Sequence, residues 1–264
     1  MLAEGIHLAL TGLAIVAALM FALWLIHLLI RNAAIVDVGW AAGLAMLAIF
    51  YASKGPGYSA RKWAIALMAG FWGLRLAIYL LFSRVLRKPE EGRYVQLRRE
   101  WKTHLPLRFL FFFEFQAVLT VVLSLPFLLA SLNPAAPLGK AEKIGAGIWL
   151  VSICGEAIAD FQLNRFRKNP ENRGKAYRRG LWGYSRHPNY FFEWMIWVGY
   201  AVFALGSLWG WLGLISPALM LYFLGTTGIA ATEAQALRTR GVEYRAYQRT
   251  TSTFIPWFRK KKPA

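Results

Sequence analysis

Cysteine, acidic side chains and nucleotide-loop glycines are scarce in this sequence. Cys154 is the one cysteine in 264 residues, so no internal disulfide can form. Only 13 residues are Asp or Glu, against 31 Lys and Arg, for a net charge of +18. No Gly-x-Gly-x-x-Gly follows a strand-like run, which argues against a Rossmann site. His7, His27 and His104 have no metal-ligand spacing with one another or with Cys154, so no metal is expected. Neither an internal repeat nor a soluble domain is visible.

What is present is apolar. The chain is 57% hydrophobic and 16% aromatic, a composition that belongs in a bilayer. A crossing needs about 20 residues. Seven runs qualify, at about 7–30, 34–53, 63–83, 107–131, 144–164, 190–206 and 208–232. The first is too long for a signal-peptide core and lacks a basic leader, so it is expected to be retained. The expected fold is an all-α integral membrane protein of seven transmembrane helices. It is read as a single membrane domain over 1–264, with N-terminal helices in 1–132 and a C-terminal region in 144–258.

The positive charge has a side. Eight Lys and Arg fall between Arg84 and Arg108, eight between Arg165 and Arg186, and eight between Arg238 and Lys262, with Arg31 in the first loop. The opposite loops hold only Lys54, Arg61, Lys62, Lys140 and Lys143. With seven helices all four basic segments share one face. The positive-inside rule makes that face cytoplasmic and puts the N-terminus outside. This charge serves topology and attraction to membrane lipid, and no nucleic acid is expected as a partner. A bacterial inner membrane is the expected location. Residues 88–101 read as an amphipathic helix on the basic side, and Lys260-Lys-Lys-Pro as a solvated tail.

Asp37, Glu114, Glu156, Asp160, Glu193 and Glu233 all fall in the cytoplasmic half under this topology, and Arg75 lies within a span. Snorkelling at a helix end suffices for Glu233 and is an alternative for Asp37. It fails for Arg75, Glu114 and Glu156, which are too deep, and these point to a polar chamber. Glu156, Asp160, Asn164 and Arg167 are spaced i, i+4, i+8 and i+11, so they share one helix face. That stripe passes from acidic to basic. It suits a ligand with neutral hydrogen-bonding groups at one end and phosphates at the other, or a set of packing hydrogen bonds.

Gly180-Leu-Trp-Gly-Tyr-Ser-Arg-His-Pro-Asn-Tyr-Phe-Phe-Glu193 packs polar and aromatic groups against the start of an apolar run. Together with Ala159-Asp-Phe-Gln-Leu-Asn-Arg-Phe-Arg167 and Tyr247-Gln-Arg-Thr-Thr-Ser-Thr-Phe-Ile-Pro-Trp-Phe258, it resembles the steroid 5α-reductase superfamily. The likeness is closest to a bacterial branch, and Val36-Asp-Val-Gly-Trp40 and Trp72-Gly-Leu-Arg-Leu76 fit that branch too. Arg-His-Pro-Asn-Tyr alone also occurs in isoprenylcysteine-type methyltransferases.

The resemblance implies NADPH held among the C-terminal helices from the cytoplasmic side. Asp160, Arg167, Tyr184, Asn189, Tyr190 and Glu193 would contact it by motif position. Glu156, Asn164, Arg179, Arg186, His187 and Trp197 are further cofactor candidates by chemistry: acceptors, forked phosphate donors and a flat ring. His187 is equally suited to fixing its loop by donating to a backbone carbonyl. The implied reaction reduces the double bond of a hydrophobic enone entering from the bilayer. Negative charge then builds on the carbonyl oxygen, so a donor there lowers the barrier. The family uses a Gln-Glu pair and a tyrosine for this purpose. Here the second helix offers Asp37 and Trp40, and Trp72 stands near the tyrosine position. Candidate catalytic residues are Asp37, Arg75 and Tyr94, with Trp40, Trp72 and Glu114 for substrate. The alternatives are an S-adenosylmethionine-dependent methyltransferase and a non-catalytic lipid-binding protein.

Overall fold

A computed structural model describes residues 2–259. The Lys260-Lys-Lys-Pro tail lies outside the described residues. The protein is 80% helical, with no strand among the described residues. The helices in order are α1 (Leu2–Ile30), α2 (Ile35–Lys54), α3 (Ser59–Leu80), α4 (Gly92–Trp101), α5 (Leu105–Leu123), α6 (Leu125–Leu132), α7 (Lys140–Lys168), α8 (Pro188–Ala204), α9 (Ile215–Phe223) and α10 (Ala230–Thr250). A π-helical turn, Leu81–Val85, extends α3, and another, Leu224–Ile229, joins α9 to α10.

Six of these helical runs are long and apolar enough to cross a membrane, among the described residues. They match six of the seven expected crossings. The segment expected at 190–206 is α8, which has only 17 residues. The run expected at 107–131 is divided at Ser124, which separates α5 from α6. Pro126 lies in the first turn of α6 and has no N–H to continue the α5 ladder. The Ser124 hydroxyl donates instead to Val121 O at 2.8 Å.

The helices form two compact units. Unit 1 comprises Met1–Lys143 and Tyr200–Ser216; unit 2 comprises Ile144–Gly199 and Pro217–Ala264.

In unit 1, α2 is the central helix and packs on α1, α3, α5 and α6. Its sequence explains this, because small residues let backbones approach closely where no hydrophobic force draws helices together. At the α2–α3 contact, a Cβ on Gly73 would sit 2.7 Å from Ala41 O. Gly73→Val is therefore expected to lose about 1–3 kcal/mol through overpacking. Thermal unfolding in detergent checks this, and an unchanged midpoint would refute the close contact.

One end of unit 1 is held by a buried ion pair. Arg61 and Glu142 are each 2% exposed, and Arg61 Nε donates to Glu142 Oε1 at 2.8 Å. Arg61 Nη1 donates to Asn133 O and Ala135 O at 2.9 and 2.5 Å. Gly139 N donates to Glu142 Oε2 at 2.9 Å. Glu142 lies in the first turn of α7, where a negative charge also suits the helix dipole.

Unit 2 is built on α7, the first part of α8 and the C-terminal run. Gly155 in α7 lies against the ring of Phe192 in α8, with room for no side chain of its own. The helical run from Gly210 to Thr250 covers 41 residues, where one crossing needs about 20. Its last third is charged, and α10 bends at Gly241, whose φ is +48°.

Candidate functional site

The site in unit 2 begins with two helix faces. On α7 stand Glu156, Asp160, Asn164 and Arg167. On α8 stand Asn189, Glu193 and Trp197, at i, i+4 and i+8. The two faces join where Asn189 Nδ2 donates to Asp160 Oδ1 at 3.2 Å. Glu156 is buried, Asp160 half-buried, and Asn164 and Arg167 exposed, so the α7 stripe opens toward its basic end. On α8 the fully buried Trp197 donates its indole N–H to Glu193 Oε1 at 3.2 Å.

The loop before α8 is fixed from several sides. Trp182 Nε1 donates to Ala159 O at 2.9 Å, tying the loop to α7. Tyr247 from α10 donates to Trp182 O. Arg186 N donates to Ser252 O at 2.8 Å, and Trp257 N donates to Tyr184 O at 2.9 Å. The polar string is thus anchored at both ends before Pro188 starts α8.

Arg186 and His187 meet one carboxylate. Arg186 Nε donates to Glu233 Oε1 at 2.6 Å, Nη1 to Gln248 O at 3.1 Å and Thr251 O at 2.6 Å, and Nη2 to Thr253 Oγ1 at 2.9 Å. Four of the five guanidinium N–H groups are thereby engaged within the protein. His187 Nε2 lies 3.2 Å from Glu233 Oε1, and the His187 ring stacks on Tyr190. Its contact is thus a carboxylate, where a backbone carbonyl was expected. Tyr190 OH lies 3.3 Å from Thr232 Oγ1.

Glu233 also accepts from Gln248 Nε2 at 2.7 Å and Tyr244 OH at 3.2 Å. Burial, and then the Glu233 charge, push the Tyr244 phenol up to about 12. Reading Glu233 as a snorkelling end charge is therefore corrected: it is the hub of this network. On a straight helix Tyr244 and Gln248 would lie about 16 and 22 Å from Glu233; the bend at Gly241 between them is what lets both reach it.

Tyr184 is 48% exposed and meets Phe258 edge-on. Arg179 stands elsewhere. It lines a polar cavity with Phe161, Gln162, Arg165, Asn169 and Tyr177, round the far side of α7 from Asp160.

In unit 1 the structure brings Asp37 and Tyr94 together. Asp37 accepts from Tyr94 OH at 2.8 Å, Arg93 Nη2 at 3.0 Å and Arg84 Nη1 at 3.2 Å. Arg84 also pairs with Glu91 at 3.1 Å. Tyr94, on the amphipathic helix α4, is fully buried. Burial and the Asp37 charge hold its phenol well above the ordinary value, so it stays protonated at neutral pH. With three donors upon it, Asp37 is the acceptor of this cluster and Tyr94 the hydroxyl that it orients. Arg93 and Arg84 were not foreseen as its partners.

Trp40 and Trp72 meet edge to face at 5.8 Å, and Trp72 is fully buried. Arg75 follows Trp72 by three residues on the same face of α3. Glu114 is half-buried on α5 and has no hydrogen-bond or ion-pair partner among the described residues.

Six helices long and apolar enough to cross a membrane, among the described residues, mark a helical membrane protein, and the C-terminal region adds a candidate polar site. A family model described as a protein of unknown function, DUF1295, matches residues 23–251. The chain belongs to this family, which is related to steroid 5α-reductase-like proteins. A curated protein of Ustilaginoidea virens, named a probable O-methyltransferase ustE, is 34% identical over 74 residues. That match covers 25% of this chain and 26% of the fungal protein. The chain thus spans about a quarter of that relative's length. No solved structure matches.

Proposed function

We propose that this protein is a membrane-embedded, NADPH-dependent reductase of the carbon–carbon double bond of a hydrophobic enone. The observation that carries the reading is the junction of the α7 and α8 polar faces at Asp160 and Asn189. The relation of the family to steroid 5α-reductase-like proteins supports it.

The residues present fit NADPH. Asp160, Asn189, Glu193 and Glu156 offer hydrogen-bonding groups toward the buried end, where neutral amide and hydroxyl groups would lie. Arg167, exposed at the other end, offers a forked donor for phosphate. NADPH, when bound, supplies hydride to the β-carbon of the enone. Asp160 orients the Asn189 amide, and Glu193 fixes the Trp197 ring. Arg186 and His187 act through the loop they hold, since Glu233 engages both side chains. Tyr94 is assigned as a donor to a carbonyl oxygen once its single O–H turns from Asp37, whose charge Arg84 and Arg93 still meet, to the substrate; Arg75 is a further donor by chemistry.

This reading includes seven crossings, with α8 as the sixth. At 17 residues α8 is about 25 Å long, a little under the hydrocarbon core. It places the N-terminus outside and the basic loops and cofactor residues on the cytoplasmic side of a bacterial inner membrane.

The test is ligand-dependent thermal stabilisation of the detergent-purified protein. A ligand at 100 times its dissociation constant adds about 2.7 kcal/mol. NADPH is expected to raise the unfolding temperature of the wild type, and Asn189→Ala to abolish that rise. The fungal relative's name supports a second reading, a methyltransferase. Stabilisation by S-adenosylmethionine alone would select it. No response to either ligand from folded protein would defeat both.

A further inference from the structure

Two cavities on unit 2 lie end to end along the side of α7 that faces away from Asp160. The first is an apolar trough of about 670 Å³, whose walls include Leu150, Val151, Cys154, Ile158, Leu181 and Phe192. The second is a polar cup of about 400 Å³ holding Arg165, Arg179, Asn169, Asn172 and Tyr177. Gln162 belongs to both and marks the neck between them. At 3.6 residues per turn, Ile158 and Arg165 stand about 140–160° round the helix from Asp160. The two cavities are therefore distinct from the polar stripe assigned to the cofactor.

We propose that this groove binds one anionic phospholipid of the surrounding membrane, with an acyl chain in the trough and the phosphate between Arg165 and Arg179. Length supports this. Leu150 to Gln162 spans about 18 Å along α7. One leaflet of hydrocarbon is about 15 Å, half of a core of roughly 30 Å. The trough thus has the depth of one leaflet, and the cup begins where headgroups would.

Charge supports it too. Among the described residues neither Arg165 nor Arg179 has an ion-pair partner, although both are exposed. The other polar groups of the cup are held in place. Asn172 Nδ2 donates to Phe166 O at 2.8 Å, and Asn169 Oδ1 accepts from Glu171 N at 3.0 Å. The Phe166 and Tyr177 rings pack at 4.8 Å as one wall. Two unpaired forks in a preformed polar cup suit a phosphate diester.

The neck is also built. Gln162 Oε1 accepts from Leu181 N at 3.1 Å. Gly180 has φ +57°, and a Cβ there would fall 2.5 Å from Gln162 Oε1. Glycine at 180 therefore keeps both the left-handed turn and the Gln162 side chain in place. At the floor of the trough the Phe192 ring packs directly on Gly155, where a side chain would fill its place.

Native mass spectrometry of the detergent-purified protein, titrated with phosphatidylglycerol or phosphatidylcholine, tests the proposal. Cys154 lines the trough and is the chain's one thiol, so its alkylation rate gives a second readout on the same samples. Phosphatidylglycerol is expected to bind more tightly than phosphatidylcholine and to slow alkylation of Cys154. At about 1 kcal/mol per basic residue, Arg165→Gln with Arg179→Gln should weaken phosphatidylglycerol about 30-fold and restore the alkylation rate. Arg165→Gln alone should give about a fivefold loss. Equal binding of the two lipids would overturn the proposal, as would an unchanged affinity in the double variant. Glycerol phosphate binding as tightly as the full lipid would also overturn it, because the trough would then contribute nothing.

Discussion

Arg61→Ala is expected to lower the unfolding free energy by about 3–5 kcal/mol, one of the two largest losses predicted for a single side chain here. The variant leaves the Glu142 carboxylate 2% exposed with its cation gone. It also frees Asn133 O and Ala135 O, both acceptors for Arg61 Nη1. Each buried group left unpaired carries its own desolvation cost. Glu142→Ala strands the guanidinium in the same way. Arg61→Met with Glu142→Leu removes both charges and should be less destabilised than either single alanine variant. Reversible unfolding in mixed micelles measures all of these. Arg61→Ala within 1 kcal/mol of the wild type would show that the pair does not hold this end of unit 1.

Glu233→Ala is expected to cost about 3 kcal/mol and to loosen the C-terminal segment. The carboxylate accepts from Arg186, His187, Tyr244 and Gln248. Without it, Arg186 keeps its three other acceptors, but its charge, in a side chain 7% exposed, has no counter-charge. The segment around Thr251–Thr253 is bonded to Arg186 and should become sensitive to protease. Glu233→Gln retains an acceptor but not the charge, and should fall between alanine and wild type. Limited proteolysis and thermal unfolding report the two effects separately. If the alanine variant resists both as well as the wild type does, Glu233 is not the hub the geometry makes it. Because Arg186 and His187 immediately precede Pro188 and Asn189, this network also sets where the α8 polar face begins.

Part of the site was legible because helical periodicity is local. The spacing of Glu156, Asp160, Asn164 and Arg167 alone places them on one face, and that is where they stand. Asn189, Glu193 and Trp197 obey the same rule on α8. The string around His187 was legible as dense polarity beside an apolar run. The partners were not. Glu233 is 46 residues from His187, and Arg61 is 81 residues from Glu142. Nothing in the sequence marks Arg61 as different from Lys54 or Lys62 nearby. Asp37 and Tyr94 were each singled out, yet their hydrogen bond joins residues 57 apart, and Arg84 and Arg93 completed the cluster unannounced.

By itself the sequence determined the helical class, six of the seven long apolar runs it suggested, and the face on which each helix carries its polar residues. These follow from composition and from the 3.6-residue period, both of which act within one segment. Only the tertiary structure decided which carboxylate meets which cation, where the 107–131 run breaks, and that Arg179 lines a groove with Arg165 round α7 from Asp160. Those outcomes depend on which faces of distant segments are brought together. A buried charge takes whichever partner the packing delivers within hydrogen-bond reach, and no local pattern encodes that choice.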